Sequence, residues 1–190
     1  TITYDFDNNS RAYSDAFTDE VYNEILTDGI APVGTDDDKS ASHHSLNGYA
    51  ALFQNTVPEN AGDDATLSIK MTYEKEVTFN ALELGIYMVP SWRVAPPETV
   101  TVSVKENGEW VEKETKPVYT FDKTEVESIG TGEKTEFVVI DFENDYQGTE
   151  IMLTFTYSDY EFISGIHSAD WPLYEKYLFM GLTEVALTLN

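Results

Sequence analysis

Trp92 and Arg93 stand side by side in the stretch VPSWRVAPPETVTVSV, residues 89–104, between Pro90 and the pair Pro96-Pro97. The chain has only two arginines, so placing one of them beside a tryptophan has chemical content. An indole face covers a flat apolar surface, and a guanidinium donates several hydrogen bonds in fixed directions. Together they suit a ligand with an apolar face and a polar fringe. The flanking prolines fix φ, so less conformational entropy is lost when the pair engages a partner. The alternative reading is a buried Trp92 closing one end of the fold, with Arg93 tied to one of the many carboxylates.

A second aromatic segment, GIHSADWPLYEKY at 165–177, carries Trp171 and Tyr174. Its polarity and length suit a displayed loop, which makes it a second candidate for binding. His43 and His44 sit in a polar stretch close to Tyr49 and could hydrogen-bond a ligand. Adjacent histidines in an extended loop point to opposite sides, so a transition-metal site there lacks its third ligand. Trp110 belongs to a strand and is expected to pack. Catalytic patterns are missing: the sequence has no G-x-S-x-G elbow, no H-E-x-x-H and no phosphate-binding glycine loop. Two carboxylates for glycoside hydrolysis can always be found among 35 acidic residues, but none is set apart from the others. A binding role is expected, and catalysis is not.

The 35 acidic residues face 11 basic ones, a formal charge of −24. Such a field repels nucleic acid and anionic membrane surfaces, which excludes both as expected partners. Neutral or cationic ligands and divalent cations remain, and hard oxygen donors favour Ca²⁺. The absence of cysteine rules out disulfides, thiol catalysis and cysteine-held zinc. No apolar run reaches membrane-spanning length, and TITYDFDNN lacks the pattern of a leader, which would have to lie outside this sequence. The acidic surface suits an extracellular protein, secreted or attached to a cell wall.

Strand signals dominate the chain that must hold these residues. TITYDF (1–6) alternates in polarity, and ATLSIKMTY (65–73) and VTFNALELGIYM (77–88) are rich in β-branched and aromatic residues. TVTVSV (99–104) is strictly periodic, and Asn107-Gly108 is a hairpin turn that returns the chain through Trp110. TEFVVIDF (135–142), EIMLTFTY (150–157) and YLFMGLTEVALTL (177–189) follow, with ENDYQG read as the turn between the first two. Short helices are expected only within 11–24 and 172–177. The expected fold is one all-β domain spanning 1–190, an antiparallel two-sheet β-sandwich of jelly-roll type, monomeric as an isolated domain.

Three segments carry a family resemblance: ILTDGI (25–30), ALELGIYMVPSWRVAPPETVTVSVKENGEWV (81–111) and the closing YLFMGLTEVALTL. Their order, over about residues 21 to 189, resembles the galactose-binding-like, discoidin-type β-sandwich of many carbohydrate-binding modules. Two departures stand out. GYAALFQ (48–54) offers Tyr49 and Phe53 where the family pattern has a tryptophan, and 112–134 is longer than the usual hairpin return. The resemblance implies a structural Ca²⁺ held by Asp28 and Glu184, with Thr35 or Asp36 completing the shell. Asp28 also reads as a plain turn residue before Gly29. DFDNNS is not an EF-hand, because Ser10 and Ala16 stand where glycine and glutamate are required. The resemblance further implies that loops at one end of the sandwich bind a polysaccharide or other glycan, whose rings offer apolar C–H faces fringed by hydroxyls. Trp92, Arg93, Trp171 and Tyr174, with His43, His44 and Tyr49, are the expected contacts. The competing class is an adhesion or spacer module on the same scaffold.

Overall fold

In a computed structural model of the chain, residues 3–6, 11–12, 51–56, 66–158 and 177–190 are described. The described residues form nine strands: β1 Thr3–Phe6, β2 Arg11–Ala12, β3 Ala51–Thr56, β4 Thr66–Met88, β5 Val94–Ala95, β6 Pro97–Glu106, β7 Glu109–Pro117, β8 Lys134–Tyr157 and β9 Tyr177–Leu189. Among the described residues one α-helix, α1, spans Lys123–Ile129. The all-β class follows from the alternation and β-branched content of these segments.

β4 and β8 are long enough to serve two layers. The first part of β4 (66–72) pairs β1 and the last part of β8, which pairs β6, which pairs β7. The second part of β4 (77–88) pairs the first part of β8 on one side and β9 on the other, and β9 pairs β3. The two expected layers are therefore joined into one hydrogen-bonded sheet that curls over on itself. Its pairs are antiparallel except the short β5–β9 contact. Register shifts in β4 between Thr72 and Val77, and between Phe79 and Ala81, mark the corner where the strand changes layer.

Both halves feed one core. Leu67, Ile69 and Met71 from the first part of β4 lie in the same buried cluster as Leu82, Leu84 and Ile86 from the second. Val100, Val102 and Val104 of β6, Leu153 and Phe155 of β8, and Leu182 and Leu187 of β9 complete it. Burying each such side chain stabilises by about 1.5–3 kcal/mol. On the outer face of the first layer, hydroxyls pair across strands: Thr115 with Thr101 and Thr99 with Thr156, both at 2.7 Å, and Thr154 with Ser68 at 3.1 Å.

Several expectations change here. ENDYQG is not a turn: β8 runs unbroken from Lys134 to Tyr157. Its polar residues sit where the strand bends between layers, and Gly148 is there because a Cβ would meet Val104 Cγ1 at 2.5 Å. Arg11 and Ala12 belong to a strand paired with Gln54 and Phe53, not to a helix. Tyr177 already belongs to β9, and the rest of the two helix candidates lies outside the described residues. The Asn107-Gly108 hairpin forms as expected, with φ of 53° and 88° at its two central residues.

Candidate functional site

The Trp92 segment is a small closed loop. Val89 and Val94 exchange both backbone hydrogen bonds, at 3.0 and 3.1 Å, and Pro90–Trp92 between them form a 3₁₀ turn. Proline at the start of the turn supplies its φ without needing a donor. Arg93 ends the turn in the left-handed region (φ 59°, ψ 31°), and its N–H donates to the Pro90 carbonyl at 2.9 Å. A non-glycine residue held at positive φ costs energy that its surroundings must offset. The surroundings are tight: Arg93 is 0 % exposed, and Val94 and Ala95 are buried with it. The guanidinium thus lies beneath the surface, whereas a ligand-facing position was expected. The Trp92 side chain lies outside what the structure describes.

What surrounds this loop follows from strand order. At this end the first layer presents, in sequence, the start of β4, the end of β8, the start of β6 and the end of β7, through the pairs Thr66–Thr156, Tyr157–Pro97 and Thr99–Pro117. The second layer presents the end of β3, the start of β9, the end of β4 and the start of β8, through Thr56–Tyr177, Ile86–Leu182 and Met88–Lys134. The connection 89–96 therefore crosses between layers beside the residues that bound 159–176. Ser158 Oγ donates to the Pro96 carbonyl at 2.6 Å, and the Phe179 N–H donates to the Arg93 carbonyl at 3.0 Å. Trp171 and Tyr174 themselves lie outside the described residues, but both ends of their segment are bonded to the Trp92 crossing.

His43, His44 and Tyr49 also lie outside the described residues. The strand that follows them begins at Ala51 opposite Leu182, whereas its far end, Thr56, is the one beside Tyr177 at the Trp92 rim.

Of the four expected calcium ligands, Asp28, Thr35 and Asp36 lie outside the described residues and Glu184 lies within them. Glu184 is buried, at 8 % exposure, in a β-bulge of β9 where Thr183 is the extra residue between the pairs Gly85–Glu184 and Ile86–Leu182. Sequence reasoning missed Thr183. Its hydroxyl is fully buried with no hydrogen-bond partner, and it occupies the space of a Gly85 side chain, 2.1 Å from where that Cβ would lie. Nothing local in the sequence marked it, because the approach of Thr183 to Gly85 depends on the pairing of β4 with β9. The Thr183 hydroxyl and the Glu184 carboxylate are both oxygen donors, the type a hard cation takes. Among the described residues no cluster of three or more Asp, Glu or His side chains could hold a metal alone.

The far end of the molecule carries a polar cavity of about 540 Å³, lined by residues including Glu76, Thr78, Lys105, Lys113 and Gln147. Its groups satisfy one another: Lys105 pairs with Glu150 at 2.7 Å, Lys113 with Glu106 at 2.5 Å, and Gln147 donates to Thr78 at 3.0 Å. Trp110 lies nearby, half-buried, with the Lys105 ammonium 5.6 Å from its ring.

No protein-family model matches the chain, and no curated protein sequence does. Solved structures align along nearly all of it. "GH31 CBM32-2 bound to GalNAc" is 10 % identical with a TM-score of 0.49, covering 98 % of this chain and 96 % of that one. The family 32 module from C. perfringens NanJ in complex with galactose is 11 % identical at 0.45, covering 98 % and 92 %. CpGH89CBM32-6 from Clostridium perfringens is 8 % identical at 0.44, covering 99 % and 94 %. These are family 32 carbohydrate-binding modules. The all-β architecture of the present chain stands on the strand pairing and core described above. Among the described residues no helix is long and apolar enough to cross a membrane.

Proposed function

We propose that this chain is a non-catalytic carbohydrate-binding module of a larger secreted or cell-surface protein, and that it holds a glycan at the rim where the 89–96 and 159–176 connections meet. The observation that supports this most is the pair of bonds Ser158 to Pro96 and Phe179 to Arg93, which ties the base of the Trp171 segment to the Trp92 loop. Trp92, Trp171 and Tyr174 supply ring faces for the C–H surface of a sugar. His43, His44 and Tyr49 precede the end of β3 away from this rim and are left out of the proposed contacts. Arg93 serves from below, as the buried residue that closes the Trp92 loop. Calcium, held by Glu184 with Asp28 and Thr35 or Asp36, stabilises the scaffold away from the sugar.

Galactose and GalNAc, the sugars in two of the aligned structures, are the first to try. In affinity electrophoresis against soluble polysaccharides ending in these sugars, wild type is retarded, and Trp92→Ala and Trp171→Ala run freely with unchanged melting temperature. Free migration of the wild type on every plant, host and bacterial glycan would favour the adhesion reading instead. A single sugar contact of this kind is weak, so tandem copies raise retention by avidity.

A further inference from the structure

The hairpin between β6 and β7 ends in Glu106-Asn107-Gly108-Glu109, and its tip carries a reactive dipeptide that the binding role does not use. Glu106 pairs with Glu109, so Asn107 and Gly108 alone make the turn. Their φ values of 53° and 88° are both positive, as in the type I′ turn that suits the twist of two antiparallel strands. All four residues are exposed, and nothing lies within 4 Å of where a Gly108 Cβ would stand. An asparagine followed by glycine is prone to cyclise, because no side chain shields the glycine nitrogen. A base in solution takes the Gly108 N–H proton, the nitrogen attacks Cγ of Asn107, and the side-chain nitrogen takes up a proton and leaves as ammonia. Water then opens the succinimide. Cleavage of the bond to Cγ leaves aspartate, and cleavage of the bond to the main-chain carbonyl carbon leaves isoaspartate, with an extra carbon in the backbone.

The turn forbids the first of these steps. At the first central position of a type I′ turn ψ is about 30°, which sets the Asn107 Cβ about 150° from the Gly108 nitrogen around the Cα–C bond. Ring closure needs the two nearly eclipsed. We infer that Asn107 is a deamidation site held silent by the β6–β7 hairpin, reacting only in molecules whose tip has opened. The bonds flanking the tip oppose opening: the Lys113 ammonium donates to Glu106, and Lys105 is held by Glu150 with its ammonium over the Trp110 ring. Once formed, the product places a new carboxylate between Glu106 and Glu109, and the isoaspartate form is too long for a two-residue turn. Hairpin opening is thereby recorded as a permanent covalent change.

The test incubates the protein in mildly alkaline buffer, folded and in concentrated urea, and scores the tip peptide by mass spectrometry for exchange of amide for acid. In urea Asn107 reacts at the rate of Asn47, which precedes the other Asn-Gly bond of the sequence. In the folded protein Asn107 reacts at least about tenfold more slowly than in urea. Lys113→Ala, which releases Glu106 at the base of the turn, speeds the folded reaction about two- to threefold and leaves the urea rate as it is. Equal rates in buffer and urea overturn the inference, as does a folded rate that Lys113→Ala leaves unchanged. An Asn107 that lags Asn47 in urea as well would place the protection in the local sequence and overturn it too.

Discussion

Gly85 has no side chain because Thr183 occupies the place one would take, and this single exchange shapes the bulge that buries Glu184. Gly85→Ala drives a methyl group into the Thr183 hydroxyl and the Glu184 backbone, and overpacking of this kind costs about 1–3 kcal/mol. Urea unfolding should show that loss with an unchanged slope. Thr183→Val separates packing from ligation. It replaces a partnerless buried hydroxyl with a methyl of similar shape, so in EDTA its stability stays within about 1 kcal/mol of wild type. If the hydroxyl is an oxygen donor to calcium beside Glu184, wild type melts higher in Ca²⁺ than in EDTA by mass action, and Thr183→Val loses that increment. Equal melting of wild type in the two buffers would remove the calcium proposal. Arg93 gives the lesson in the other direction. Its neighbours in sequence suggested a ligand contact or a carboxylate partner, and neither reading announced the left-handed turn it occupies. Its burial depends on β9 and β8 closing over the loop from residues more than 60 positions away.

The pairing of Lys134 with Glu125 of α1 gives stability one pH-dependent contribution. Lys134 holds the Glu125 carboxyl below its ordinary range, and hydrogen bonds from Lys134 to Glu125, then Glu136 and Tyr119, raise the Lys134 ammonium above its own. A lowered carboxyl contributes stability that is complete above its unfolded value, about 4.3, and drains as pH falls through the lower folded value. A raised ammonium contributes fully below about 10.4 and loses its share only as pH climbs through the higher folded value. Lys134→Met should therefore cost about 1 kcal/mol between pH 5 and 10, after solvent screening of a partly exposed pair, and the difference from wild type should shrink below pH 4. A pH-independent difference would assign the loss to packing. Asp122→Ala, which removes the cap, costs about 1 kcal/mol in the same assay. This helix was readable: Asp122 with Glu125 three residues on, and Gly130 after the last turn, is a start and stop signal. The β-rich surroundings masked it. The ENDYQG segment misled for a related reason, since polar and glycine residues suit a bend inside a continuous strand as well as a break between two.

At the scale of the whole molecule, the local pattern located β1, β6, β7 and β9 and the two halves of β4 and of β8, because alternation and β-branching act within a few residues, and it missed β2, β3 and β5. The crossing order at the rim was not legible in the same way. It depends on which distant strands pair, such as Thr66 with Thr156 or Met88 with Lys134, and no local signal encodes those registers. That order brings Ser158 and Phe179, beyond the two ends of 159–176, against the 89–96 crossing and sets Trp110 at the opposite end, beside the 107–108 hairpin. The chain's three tryptophans therefore report on both ends at once. Titrating the ¹⁵N-labelled protein with a galactose- or GalNAc-terminated oligosaccharide while following the three indole N–H resonances tests the central claim most directly. The account predicts that the Trp92 and Trp171 signals move together along one binding curve while Trp110 stays still. Movement of Trp110 alone would put the ligand in the far polar cavity and contradict it.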